Sequence, residues 1–200
     1  MFISHTHRII NVAVPKTGST SLHYALMSHL DTEFHMNNAA PALYHLSAED
    51  IERVMGPISF GSYFSFGVVR NPFDRMVSLY HDFRDQRGMI RAASFDDFIL
   101  GPFRRHWRDN VHFLPQAYFL CRKDVPMVSH VYRFEHGLET ILADICQRTD
   151  RSLAGIGRAR VSLREPWKTY LHNPEVVDLL VESFAVDFDL FGYDRTVAAG

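Results

Sequence analysis

Twice before Tyr80 the chain repeats one local pattern: a short apolar run, a polar loop with turn residues, then an amphipathic helix. The first run, residues 9–14 (Ile-Ile-Asn-Val-Ala-Val), is stopped by Pro15 and suits a strand buried on both faces of a parallel sheet. Beyond Pro15-Lys16-Thr17-Gly18, residues Leu22, Ala25, Leu26, His29 and Leu30 recur at i, i+3, i+4, i+7 and i+8, one face of a helix. Ser19, Thr20 and Ser21 stand where N-capping hydroxyls belong. The second run, residues 63–69, ends at Arg70. Asn71 suits an N-cap, Pro72 suits the first helical position, and Phe73, Met76, Val77 and Tyr80 form the stripe.

The same alternation continues downstream. A third strand is expected over 128–134, entering a helix over 137–147, and a last helix is expected over 174–187 with Val176, Val177, Leu180, Phe184 and Phe188 on one face. Between these lie a helix over 48–55, an Arg-rich connection over 84–108 and a loop over 152–165. Strands alternating with helices predict an α/β fold of three layers, a central mostly parallel sheet flanked by helices. No repeat or composition break marks a second domain, so residues 1–200 are expected to form one.

Composition narrows the classes of function. With 46% hydrophobic and 22% charged residues a packed core is expected, and a net charge of −2 provides no overall basic field for nucleic acid or an anionic membrane. The 12 His show neither a His-Glu-x-x-His spacing nor a Cys/His cluster, so no metal is expected, and His5 and His7 read as solvated. Cys121 and Cys146 stand far apart without a Cys-x-x-Cys motif, which suits a reducing compartment. No apolar stretch reaches membrane-span length, and polar His5-Thr6-His7-Arg8 comes too early for a signal peptide, so a cytoplasmic location is expected.

In open parallel sheets ligands collect at the carboxyl ends of strands, where both loops are predicted. Gly18 would let backbone approach an anion. The N–H groups of the helix start would point at it, Thr17, Ser19, Thr20 and Ser21 would add hydroxyls, and Lys16 would add a charge. The same residues also suit an ordinary strand-to-helix turn with capping hydroxyls. A nucleotide-triphosphatase P-loop reads Gly-x-x-x-x-Gly-Lys-Ser/Thr, whereas here the lysine precedes the glycine and the Lys-Ser/Thr pair is missing. At the second loop Arg70 leaves a strand end at a helix start. Ser78, at about 100° per residue, falls near Asp74 and His81, off the apolar stripe. Arg70 and Ser78 suit one phosphate; the alternatives are an Arg70–Asp74 ion pair and a solvent-facing serine. Lys16, Lys123 and Lys168 are the sole lysines among 21 basic residues. The arginine excess suits planar recognition of phosphate or sulfate, or reflects codon bias.

Residues 15–22, Pro-Lys-Thr-Gly-Ser-Thr-Ser-Leu, resemble the phosphosulfate-binding loop of sulfotransferases that use 3′-phosphoadenosine 5′-phosphosulfate. Residues 69–80, Val-Arg-Asn-Pro-Phe-Asp-Arg-Met-Val-Ser-Leu-Tyr, resemble their 3′-phosphate loop and helix. The match is to the carbohydrate-type branch, sulfotransferase family 2. It is echoed at Leu114-Pro115-Gln116, at Tyr132-Arg133-Phe134-Glu135 and in the ending 187–193. The resemblance implies a P-loop-like sulfotransferase fold and transfer of a sulfuryl group to a hydroxyl acceptor, in the first place a carbohydrate. Adenosine 3′,5′-bisphosphate would be released and no metal would be needed. It assigns Lys16, Thr17, Gly18, Ser19, Thr20 and Ser21 to the 5′-phosphosulfate, with Lys16 also stabilising the leaving group, and Arg70 and Ser78 to the 3′-phosphate. Rival readings are a P-loop-type phosphotransferase and a nucleotide-binding relative without chemistry.

In the family it resembles, relatives commonly carry a histidine or glutamate between the first loop and the second strand. In that interval His45 is the candidate catalytic base, because imidazole takes a proton near neutral pH. His23 and His35 are its rivals, and Glu49 reads instead as the capping partner of Ser47. His112, Gln116, Arg84, Arg87, Arg91, Arg104, Arg105 and Arg108 either line an acidic-sugar site or form a solvated surface. Arg158, Arg160 and Ser162 sit in a loop placed to cover the nucleotide.

Overall fold

The computed structural model describes residues 1–27, 44–150 and 164–197. In chain order its principal elements are β1 (Phe2–Ser4), β2 (Ile9–Val12), α1 (Ser19–Met27), α2 (Ala48–Met55), β3 (Phe64–Val69) and α3 (Pro72–His81). They continue with α4 (Gln116–Leu120), β4 (Cys121–Arg122), β5 (Val125–Pro126), β6 (His130–Arg133), α5 (Leu138–Thr149), α6 (Pro174–Ser183) and α7 (Ala185–Phe191). The chain divides into two compact units, residues 1–69 with 116–160 and residues 70–115 with 161–200.

The first unit holds the sheet, in the order β1-β2-β3-β6. Strands β2, β3 and β6 run parallel, with Ile9 opposite Phe64 and Gly67 opposite Val131, and β1 adds an antiparallel edge with Phe2 opposite Asn11. The sequence reading did not anticipate β1: three apolar residues before a polar turn carry too little periodicity to register. Side chains alternate across β3. Phe66 and Val68 join Phe2, Ile9 and Tyr132 against Leu22 and Leu26 of α1 and Ile141 and Ile145 of α5. Gly67 points the other way, where a Cβ would fall within the Leu120 side chain of α4. Helices therefore cover both faces of a mostly parallel sheet, the expected three layers of an α/β fold.

The second unit is built on α3. Phe73, Met76, Val77, Leu79 and Tyr80 are buried with Phe95, Phe98, Phe103, Phe113, Phe184 and Phe188 in one aromatic-rich core. The expected Arg-rich connection is structured: α3 runs into a π-helical turn at Asp82–Gln86, and a second π-helical turn, Ile99–Phe103, contains Pro102. A proline lacks the N–H of a normal helical ladder, and a widened turn accommodates that loss. The expected last helix is two, α6 and α7, parted at Phe184 (φ −115°, ψ 22°). Val176, Leu180, Phe184 and Phe188 all remain buried across the break, so the apolar spacing continues where the regular backbone does not.

Candidate active site

Strand β2 ends at Val12, and Ala13 and Val14 carry the buried chain into the first loop. Lys16 (φ +65°) and Gly18 (φ +78°) both take left-handed backbone there. For Lys16 that conformation costs about 1–2 kcal/mol, a cost tolerated chiefly where the surroundings fix the turn, as ligand clamps do. Between them Thr17 is 1% exposed and donates its hydroxyl hydrogen to the Val14 carbonyl at 3.0 Å. In this arrangement the Thr17 hydroxyl proton holds the loop to the strand. The Leu22 N–H reaches the Gly18 carbonyl at 3.1 Å, so α1 closes its first bond on the glycine. The N–H groups of Ser19, Thr20 and Ser21 fall in the first turn, where a helix has no acceptors of its own. Ser19 and Ser21 are both buried in that turn.

His45 stands at the same strand end. Its Nδ1 lies 2.6 Å from the carbonyl oxygen of Ala13, the residue after β2. A carbonyl only accepts, so Nδ1 carries the hydrogen and, in the neutral ring, Nε2 is the basic nitrogen. Tyr44 and Phe119 meet the ring edge-on at 4.9 and 6.4 Å between centroids and fix its plane. Of the rivals, His23 packs edge-on among Phe2, Tyr24 and Tyr44, and His35 lies outside the described residues. Glu49 is not the capping partner: Ser47 caps α2 reciprocally with Asp50, one residue further on, and Glu49 lies 3.6 Å from Arg122.

In the second unit Asn71 caps α3, its side-chain oxygen accepting from the N–H groups of Phe73 (3.0 Å) and Asp74 (3.3 Å), with Pro72 in the first turn. Arg70, 8% exposed, donates from Nε to Asp74 Oδ2 at 2.7 Å, the ion pair the sequence left open. The other Asp74 oxygen accepts from Arg164 Nη2. Two guanidiniums on one carboxylate leave a net positive charge, and Arg164 Nη1 is buried with no hydrogen-bond partner among the described residues. Ser78 is buried, which removes the solvent-facing alternative, and its hydroxyl makes no hydrogen bond among the described residues. These unspent donors beside net positive charge suit a phosphate.

Arg164 is the residue the sequence reading passed over. It lies in the same expected loop, 152–165, as Arg158, Arg160 and Ser162, which are outside the described residues, and residue type alone does not rank one arginine of a loop above another. The other candidate cations are largely engaged: Arg84 with Asp85, Arg87 with Asp82, Arg104 with Glu175, and Arg108 over the Trp107 ring. His112 packs against Phe83, and Gln116 is fully buried.

Three comparisons bear on this arrangement. A carbohydrate sulfotransferase 10 from Xenopus laevis is 32% identical over 95 residues, 41% of this chain and 25% of that protein, so the match spans about a quarter of that relative. Among solved structures, a sulfotransferase from Alicyclobacillus acidocaldarius aligns over 94% of this chain and 96% of its own at 16% identity, with a TM-score of 0.47. The model of the sulfotransferase family matches residues 1–194, from β1 past the end of α7 and across both loops. This chain belongs to the sulfotransferase family.

Proposed function

We propose that the chain transfers a sulfuryl group from 3′-phosphoadenosine 5′-phosphosulfate to a carbohydrate hydroxyl. The observation that carries this reading is the left-handed Lys16–Gly18 turn at the end of β2, with the oriented imidazole of His45 at the same strand end. When bound, the donor supplies an activated sulfuryl group. The turn and the first residues of α1 offer N–H groups and the Lys16 charge to the 5′-phosphosulfate, and Arg70, Ser78 and Arg164 offer donors to the 3′-phosphate. His45 Nε2 takes the proton of the acceptor hydroxyl as its oxygen bonds to sulfur, and the Ala13 carbonyl steadies the imidazolium through Nδ1–H. Lys16 answers the charge left on the phosphate oxygen as its bond to sulfur breaks, electrostatic stabilisation placed where charge develops. The leaving group is adenosine 3′,5′-bisphosphate. The carbohydrate class of the acceptor rests on the similarity to a carbohydrate sulfotransferase.

Ligand-induced stabilisation tests the donor. A ligand at 100 times its dissociation constant adds about 2.7 kcal/mol, so adenosine 3′,5′-bisphosphate should raise Tm clearly while ATP with Mg²⁺ does not. Arg70→Ala should weaken the bisphosphate about 10- to 100-fold, the loss of a hydrogen bond to a charged group. His45→Gln should keep that binding and lose turnover. Stabilisation by ATP with Mg²⁺ alone would point to phosphoryl transfer and overturn the reading.

A further inference from the structure

The second unit contains a cavity of about 290 Å³, lined by none of the residues assigned to the donor. Tyr80 and His81 from the end of α3, Phe95 and Asp96 from the short helix Phe95–Phe98, and Tyr170 and His172 from the late chain surround it. Ligand sites run from about 300 to 1,000 Å³, so this one has room for a single ring. Its walls are aromatic: the Phe95 ring meets Tyr80 at 5.7 Å and Tyr170 at 5.8 Å between centroids.

The polar groups decide which ring. His81 Nδ1 lies 2.7 Å from Asp85 Oδ2, and its Nε2 lies 2.8 Å from the Tyr170 hydroxyl. A carboxylate only accepts, so the neutral imidazole carries its hydrogen on Nδ1, and Nε2 accepts the hydroxyl hydrogen of Tyr170. The Tyr170 oxygen then meets a ligand as an acceptor. Asp96 adds a carboxylate, one oxygen of which takes the Asn173 amide at 2.9 Å. Among the described residues the one guanidinium lining the cavity is Arg84, whose charge is paired with Asp85: Nε and Nη2 donate to that carboxylate at 2.5 and 3.1 Å, and Nη1 donates to the Tyr80 hydroxyl, which uses three of its five N–H groups. Aromatic walls with hydroxyl and carboxylate acceptors call for a ligand that combines an apolar ring face with O–H donors. A carboxylate or sulfate brought here would face Asp96, while the Arg84 charge is already balanced by Asp85.

We propose that this cavity is a subsite for one uncharged sugar residue of the acceptor, so that it selects neutral over acidic sugars. The inference rests on the carbohydrate reading of the function and deepens it.

The test is ligand-observed NMR titration of the full chain with the methyl β-glycosides of glucose, galactose, N-acetylglucosamine and glucuronic acid, each with and without adenosine 3′,5′-bisphosphate. At least one neutral glycoside should bind, with the glucuronide weaker by about tenfold or more. His172→Trp, an exposed rim position, should block the neutral glycoside, and Tyr170→Phe should weaken it, both with the bisphosphate-induced Tm rise unchanged. Binding of no neutral glycoside, equal or tighter binding of the glucuronide, or glycoside binding untouched by both variants would overturn the subsite. Absence of the Tm rise in the parent protein, with glycoside binding intact, would strike the donor reading alone.

Discussion

Gly18 has two independent reasons to be glycine. Its φ of +78° lies where an L side chain is strained, and a Cβ there would stand 2.8 and 2.9 Å from the two methyls of Leu138. Gly18→Ala is therefore expected to cost at least about 1–2 kcal/mol from backbone conformation alone. For a chain of this length each kcal/mol lowers Tm by about 2–4 °C, and calorimetry of the purified variant reads the fall directly. The turn it anchors also carries Lys16, so donor affinity should fall with stability. An unchanged Tm would mean that the turn relaxes freely and that Lys16 is not held by it. The need for glycine at position 18 was legible, because a loop between strand and helix that approaches an anion calls for one. The left-handed conformation of Lys16 was not: lysine has no side-chain group that favours it, and neighbouring structure imposes it. The bond from Thr17 to the strand was not legible for a similar reason, since a hydroxyl can serve a ligand or a carbonyl and sequence does not choose between them.

At the scale of elements, α3 depends on its first turn. Asn71 satisfies two N–H groups that the helix itself cannot, and Arg70, Asp74 and Ser78 are positioned by where that turn begins. Asn71→Ala should cost about 1 kcal/mol in urea unfolding and also weaken adenosine 3′,5′-bisphosphate, whereas Asn71→Asp, an equally good cap, should keep the stability. Equal losses in both variants would show that the amide matters for something other than capping. Both β-loop-α phrases were readable because their signals are local: an apolar run, a cap, then a stripe. The failures are of two physical kinds. Strand β1 is a three-residue edge whose stability comes from its partner β2 and not from its own pattern. The π-helical turn Asp82–Gln86 and the break at Phe184 are changes of backbone that leave apolar residues buried, and periodicity registers burial alone.

Across the whole chain, three separated stretches that resemble the family converge on one fully buried side chain, Arg75. Its Nη2 donates to the Leu114 carbonyl at 2.9 Å and its Nη1 to the His112 carbonyl at 3.3 Å, while its guanidinium lies 4.9 Å from the Phe184 ring centroid. Burial pushes its pKa down to about 10, against the opposing pull of Asp187, which is itself fully buried. The loop phrase 69–80, the Leu114-Pro115-Gln116 echo and the ending 187–193 therefore share a structural reason that reading along the chain could not supply. A buried charge retained in this way is held by its partners, and removing either one strands the other. Arg75→Met and Asp187→Asn should each cost about 3–5 kcal/mol, a large share of an ordinary domain's stability. The double variant removes both charges together, so it should cost less than the sum of the singles by about 0.5–3 kcal/mol in urea titration. Strict additivity would mean that the two groups act separately, Arg75 through the carbonyls of His112 and Leu114 and Asp187 through other contacts. The C-terminal helix would then owe its place to the aromatic core and not to the charge at its centre.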